Sequence, residues 1–226
     1  MTLEMLKVSG LRSHIYTSLA ILMANPANIA ELEKPIETIS NAMNELSELP
    51  FFRPTECLGF LLKEEKEDKL KLMVEYTRLF VTAHPKAPCP PYESVYESED
   101  RLLMRNSTLN VLDFYRKFGL SLSDTFKEPP DHIATELEFM HFLTFKEAEA
   151  WRDNDKPKAL QFLRAEADFT LNHLSPWVPV LQKCVENHSE ISFYRSTTCF
   201  LREFVEMDTS FIKWAAKNLA DNSDST

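Results

Sequence analysis

Apolar residues recur at helical spacing along most of the chain, and prolines mark where one run stops and the next begins. Over about residues 3–24, Leu11, Ile15, Leu19, Leu22 and Met23 share one helical face. Asn25-Pro26 supplies a cap and start signal. Ile29, Leu32, Ile36, Ile39, Met43 and Leu46 then continue the pattern, with Pro35 expected to kink or split the helix. Residues 50–54, Pro-Phe-Phe-Arg-Pro, read as a connector. The mixed charge run from Lys63 to Lys71 reads as the solvated start of a further helix. Leu70, Met73, Val74, Thr77, Phe80 and Val81 form its stripe.

The pattern breaks over 82–95, which holds Pro85, Pro88, Pro90 and Pro91. Each proline fixes its own φ and biases the preceding residue towards extended backbone, so this segment reads as a stiff loop. Helix resumes over about 98–118 and stops at Gly119, which suits a helix end. After Pro129-Pro130, helices are expected at about 131–153, 157–174, 176–187 and 190–220. Asp155 and Ser175 are plausible caps, and a bend near Met207-Asp208 divides the last helix. The expectation is an all-α, single-domain bundle over 1–226 with roughly eight to eleven helices. Within it, N-terminal helices occupy 1–81, the Pro-rich loop 82–95, C-terminal helices 96–220 and a flexible tail 221–226.

Composition removes several function classes. The chain has 226 residues, enough for one large domain or two small ones, yet only 3 glycines. Average usage would give roughly sixteen. Such poverty argues against phosphate-cradling loops, dinucleotide folds and most β architectures. A formal net charge of -10 makes nucleic acid an unsuitable partner and suits a basic one. Cys57, Cys89, Cys184 and Cys199 include no Cys-x-x-Cys pair and read as free thiols of a reducing cytoplasm. Neither a signal-peptide pattern nor an apolar run of about 18 residues is present, so a soluble, cytoplasmic protein without membrane insertion is expected.

Candidate chemistry centres on residues 127–140, Lys-Glu-Pro-Pro-Asp-His-Ile-Ala-Thr-Glu-Leu-Glu-Phe-Met. The prolines fix the start of a helix and place Asp131 and His132 in its first turn, where the helix dipole favours an anion. His132 and Glu136 stand four apart, a spacing that can share a metal ion. His141 lies off that face and no His-Glu-x-x-His occurs, so the pair reads as an ordinary helical contact. Cys89, with His84 and His132 as possible bases, has no local signature of a nucleophile and reads as a loop cysteine. No Gly-x-Ser-x-Gly elbow is present. A peptide surface remains: Pro88, Pro90, Pro91, Tyr92 and Tyr96 offer rigid apolar area beside the acids and imidazole of Glu128 to His132. From these residues alone, simple packing of the loop onto the bundle explains the pattern nearly as well.

Glu75-Tyr76-Thr77-Arg78-Leu79-Phe80, Pro88-Cys89-Pro90-Pro91-Tyr92-Glu93-Ser94-Val95-Tyr96, and Glu128-Pro129-Pro130-Asp131-His132-Ile133 with Glu136-Leu137-Glu138-Phe139-Met140 occur in that order. Together with His173-Leu174-Ser175-Pro176-Trp177 and Phe193-Tyr194-Arg195, they resemble the TorD/DmsD/NarJ family of redox-enzyme maturation chaperones over about residues 70–205. The resemblance implies an all-α chaperone with no enzymatic reaction, no cofactor and no metal. It implies binding of the twin-arginine signal peptide, or a related N-terminal segment, of a molybdopterin-dependent oxidoreductase. The catalytic subunit is then held in the cytoplasm until its cofactor is inserted. It also implies a monomer or a homodimer.

The peptide-binding residues carried over are Leu79, Phe80, Pro90, Pro91, Tyr92, Ser94, Tyr96, Glu128, Pro129, Asp131 and His132. Tyr92 stands where many members carry Trp after Pro-Pro, and Thr82-Ala83-His84-Pro85 where a glycine is common. On this reading Glu128 and Asp131 meet the arginines, Tyr92 and Phe80 cover the apolar segment, and His132 tunes binding with pH. Substituting Asp131 or His132 is then expected to weaken binding without moving the thermal midpoint. Two alternatives belong to other classes: a helical adaptor for another protein partner, and a small nucleotide-binding enzyme.

Overall fold

Ten α-helices follow one another in the computed structural model, which describes residues 2–28, 31–64, 68–82, 86–97, 101–122 and 128–221. They are α1 (Thr2–Met23), α2 (Glu33–Leu46), α3 (Glu56–Leu61), α4 (Lys69–Tyr76), α5 (Glu93–Tyr96), α6 (Asn106–Lys117), α7 (Ile133–Arg152), α8 (Lys156–Phe169), α9 (Ser175–His188) and α10 (Ser192–Asp221). No strand occurs among the described residues, and the fold is all-α as the periodicity predicts. His84, Ile29, the middle of the 63–71 charge run and the tail beyond Asp221 lie outside the described residues.

The packing centre is α1 against α7, with α8 also on α7, α2 on α1, and α10 on α3, α8 and α9. Helix α1 buries Ser9, Arg12, Ser13 and Ser18 besides its apolar stripe. A helix covered on more than one face is a central helix rather than a surface one. Its apolar residues Ile15, Leu19, Leu22 and Met23 join one continuous core with Leu137, Leu143, Leu163, Phe204 and Phe211.

Local signals explain most boundaries. Asn25 accepts the Ala27 N–H, Asp68 caps α4 through Leu70, and Asp155 caps α8 through Lys158. Gly119 takes φ +72° at the end of α6, where its N–H and that of Leu120 return to the last carbonyls of the helix.

Several boundaries differ from the sequence reading. Pro35 lies in the first turn of α2, where a missing N–H costs nothing, so it neither kinks nor splits the helix. Helix α6 begins only at Asn106, because Arg101 and Met104 adopt positive φ before it. Ser175 caps nothing: a π turn, Thr170–Leu174, carries α8 directly into α9. Helix α10 runs undivided through Met207-Asp208. Leu70, Val74 and Val81 are exposed, while Leu72, Glu75, Tyr76, Leu79 and Phe80 are buried. A π turn over Thr77–Val81 shifts the helical phase there. Glu75 is drawn inward by Arg78, the Ser189 hydroxyl and the Glu190 N–H.

The cysteines are paired rather than free. Cys57 bonds Cys199 and Cys89 bonds Cys184, with Cα separations of 5.5 and 5.8 Å. Their separations of 142 and 95 residues hide this proximity from any local motif.

One guanidinium ties four helices together. Arg12, fully buried in α1, donates to Glu147 of α7 at 3.0 Å, Glu166 of α8 at 2.6 Å, and both carboxylate oxygens of Asp208 in α10 at 2.5 and 3.1 Å. The Tyr16 hydroxyl adds a bond to Asp208 and the Trp151 indole one to Glu147. Burial opposes the Arg12 charge, but Asp208, Glu166 and Glu147 more than offset it. Burial raises Glu166 well above the ordinary carboxylate range against the pull of Arg12. Removing one partner of a buried ion pair costs about 3–5 kcal/mol, because the other charges stay buried and uncompensated. Arg12→Ala is therefore expected to lower the free energy of unfolding by about that amount in urea titration. A loss below about 1 kcal/mol would show that the network holds nothing.

Candidate functional site

Two segments forty residues apart meet at the mouth of the bundle. Tyr92 and His132 form an isolated antiparallel bridge. The Glu93 N–H donates to the Asp131 carbonyl at 3.0 Å and the Ile133 N–H to the Pro91 carbonyl at 2.9 Å. Below them, the Cys89 N–H donates to the Leu79 carbonyl and the Tyr115 hydroxyl to the Pro130 carbonyl. Prolines 90, 91, 129 and 130 provide no N–H of their own. The ladder is therefore one bridge long, and the chain leaves it directly into α5 and α7.

Asp131 and His132 serve these helix starts. Asp131 is fully buried, and its Oδ2 accepts the Ser94 N–H at 2.9 Å in the first turn of α5. His132 is the N-cap of α7: its Nδ1 accepts the Ala134 N–H at 3.1 Å. That bond assigns the proton to Nε2, which faces the Tyr76 hydroxyl at 3.4 Å. Burial holds the imidazole down to about 4, against the opposing charges of Glu128 and Asp131. It stays neutral across the physiological range, which removes the expected tuning of binding by pH near 6.5. Its ring meets Tyr92 edge-on at 5.2 Å, and the Tyr92 hydroxyl donates to Glu128 at 2.6 Å.

Of the other residues predicted for the site, Leu79, Phe80, Pro91 and Ser94 are buried. Phe80 packs on Tyr76 and Tyr194 inside the core, so it offers no cover for a ligand. Pro90, Tyr92, Tyr96 and Pro129 are half-buried, and Glu128 is exposed. The metal and nucleophile patterns dissolve in the same way. Glu136 accepts from the Trp177 indole at 3.1 Å, His141 contacts Ser13, and Cys89 lies near Cys184 and His188 rather than His132.

Behind this mouth is a cavity of about 650 Å³, lined by Glu93, Tyr96, Glu97, Asp113, Phe114 and Trp177 among others. Tyr96 and Trp177 stack at 5.7 Å, and Glu93 is held by His173 at 2.9 Å. Under it, burial first and the Glu93 charge second raise Glu136 well above its ordinary range. Only Tyr96 among the residues predicted for the site lines this cavity. The rest come from α5 and its C-cap, from α6 and from the α8–α9 junction. The legible signal was the His173-Leu174-Ser175-Pro176-Trp177 motif, whose two terminal residues face Glu93 and Tyr96. Carboxylates beside stacked aromatic rings suit an organic cation, which gains charge-assisted bonds and cation–π contact together.

Residues 25–182 match the family described as nitrate reductase delta subunit. The chain belongs to this family. The TorD chaperone of Photobacterium profundum is 28% identical over 182 residues, covering 80% of this chain and 75% of that one. The selenate reductase assembly chaperone of Thauera selenatis is 35% identical, covering 66% and 75%. The crystal structure of a protein described as a redox enzyme maturation protein, from Archaeoglobus fulgidus, aligns with a TM-score of 0.51 and 27% identity over 86% of this chain. The protein is thus a chaperone of redox-enzyme maturation, not a catalyst. No described helix of the chaperone is long and apolar enough to cross a membrane.

Both caps of the chaperone's mouth belong to the folded structure, so their loss is expected to appear in stability. Asp131→Ala leaves the Ser94 N–H buried without its partner and should cost about 1–3 kcal/mol. His132 has a folded value of about 4 against an ordinary 6.5, so the unfolded chain takes up the proton first. Its contribution is complete above 6.5 and is lost as pH falls through the folded value, for a total of roughly 3 kcal/mol. In His132→Asn, which retains a capping side chain, the thermal midpoint should fall less steeply between pH 6.5 and 4. Parallel curves for the two proteins would assign the acid sensitivity elsewhere.

Proposed function

We propose that this chaperone binds the twin-arginine leader, basic and then apolar, of a molybdopterin-dependent reductase's catalytic subunit. It would do so in the cytoplasm, before cofactor insertion and export. The observation that carries this reading is the 650 Å³ cavity, where Glu93, Glu97 and Asp113 stand beside the stacked Tyr96 and Trp177. A guanidinium finds there both a carboxylate fork and an aromatic face. The basic end of the leader enters this cavity, in place of the buried Asp131. Exposed Leu102, Leu103 and Met104, next to Ser94 through the Met104 N–H, receive the apolar segment in place of Phe80. Tyr92 and Glu128 form the outer lip. Relatives described as perchlorate and selenate reductase assembly chaperones support a reductase as client. An acidic cavity repels phosphates, which argues against the nucleotide-binding alternative.

Calorimetric titration with leader peptides of the host's molybdopterin enzymes tests this. Among the described residues, Glu97 accepts from the Ser107 hydroxyl and Asp113 pairs with the exposed Arg116. A Glu97→Gln, Asp113→Asn protein should therefore keep its thermal midpoint. It should bind the Arg-Arg leader about 10- to 100-fold more weakly, the worth of a hydrogen bond to a charged group. A Lys-Lys leader should be weakened less, since it lacks the planar fork. Equal affinity of the double variant and the unaltered chaperone for the Arg-Arg leader would sink the assignment of this cavity.

A further inference from the structure

Cys89 and Cys184 are joined in this structure, but a protein acting in a reducing compartment holds such a pair mainly as thiols. What the thiols would meet is set by their neighbour. His188 lies one helical turn after Cys184 on α9, and its Nδ1 stands 3.9 Å from each of the two sulfurs. Ligands of a tetrahedral zinc centre, with bonds of about 2.3 Å to sulfur and about 2.0 Å to nitrogen, stand about 3.5–3.8 Å apart. The imidazole is therefore already near a ligand's distance from both sulfurs. Only the sulfurs need separate, and their backbones, 5.8 Å apart at Cα, can stay in place.

We propose that, once reduced, Cys89, Cys184 and His188 bind one soft divalent cation of the zinc class. Reduction by a cellular dithiol breaks the sulfur–sulfur bond, adds two electrons and two protons to the cysteines, and converts the dithiol to its own disulfide. The cation then displaces the two thiol protons. His188 Nδ1 at present donates to the Cys184 carbonyl at 2.8 Å. On ligation its proton moves to Nε2, so the ring stays neutral. Two thiolates cancel the charge of the dication, which lets the buried Cys89 take part without leaving net charge in the core. A second cavity, of about 630 Å³, reaches Cys184 and His188 past Val180 and Lys183. It gives the ion a way in and leaves its fourth position for water. The bound ion would staple the Pro88–Tyr92 loop to α9, as the disulfide does in oxidised protein. The other pair, Cys57 and Cys199, has Glu203 as its neighbour and no imidazole, so it is the poorer site for such an ion.

The full-length protein, reduced with a phosphine and freed of metal by a chelator, is titrated with zinc against a chromophoric competitor. Cadmium is titrated in parallel, and its thiolate charge-transfer band is followed. One equivalent of each ion should bind tightly. The band should vanish in Cys184→Ser and persist in Cys57→Ser. His188→Ala, a change at an exposed position that leaves the fold intact, should weaken zinc at least about tenfold. The proposal is overturned if the reduced protein binds no stoichiometric ion. It is equally overturned if the band follows Cys57 instead of Cys184, or if His188→Ala binds zinc as tightly as the unaltered chain.

Discussion

The arrangement of this bundle rests on a charge that cannot reach water. Arg12 has no exposure, and every hydrogen bond it makes runs to a carboxylate from a different helix or to Asp208 in the long C-terminal one. A buried guanidinium without partners is prohibitively costly, so α7, α8 and α10 must present their acids at one depth and one rotation. An apolar cluster of the same volume would tolerate sliding, whereas the planar fork of Arg12 does not. Three acids exceed one guanidinium, and burial raises both Glu166 and Glu147 above the ordinary carboxylate value, which favours their neutral forms. The mouth of the bundle inherits this order, because α7 begins at the His132 cap and α8 leads into the segment carrying His173 and Trp177.

How much could be read beforehand follows from the range of each interaction. Helix type depends on spacing within a few residues, so α1, α7, α8, α9 and α10 are legible from periodicity and caps. Rotation of a helix depends on what lies across from it. The face of α4 is therefore misread, because Glu75 is turned inward by Ser189 and Glu190, more than a hundred residues later. The joined cysteines and Arg12 are invisible for the same reason. Each looks ordinary until its distant partners are placed.

The site divides in the same manner. The motif residues around Asp131 and His132 are conspicuous in sequence, and in the structure they act as caps that begin two helices at one point. The residues that line the cavity, Glu97, Asp113, Phe114 and Trp177, come from three elements and form no motif together. A polar pair on a helix opening thus stands near the cavity without naming the groups that line it. Half-buried Tyr92 and exposed Glu128, both singled out in the sequence, are joined by a hydrogen bond at the outer edge.

The single bridge between Tyr92 and His132 also makes the stretch between them an excursion whose two ends touch. Asp131 closes its neck through the Ser94 N–H, and within the described residues Val111 and Tyr115 return to the core. Because both ends are pinned at one point, added length in such a connection costs little further closure entropy. The chain thus carries α6 and the exposed Leu102–Met104 surface on this excursion while the starts of α5 and α7 stay fixed against each other.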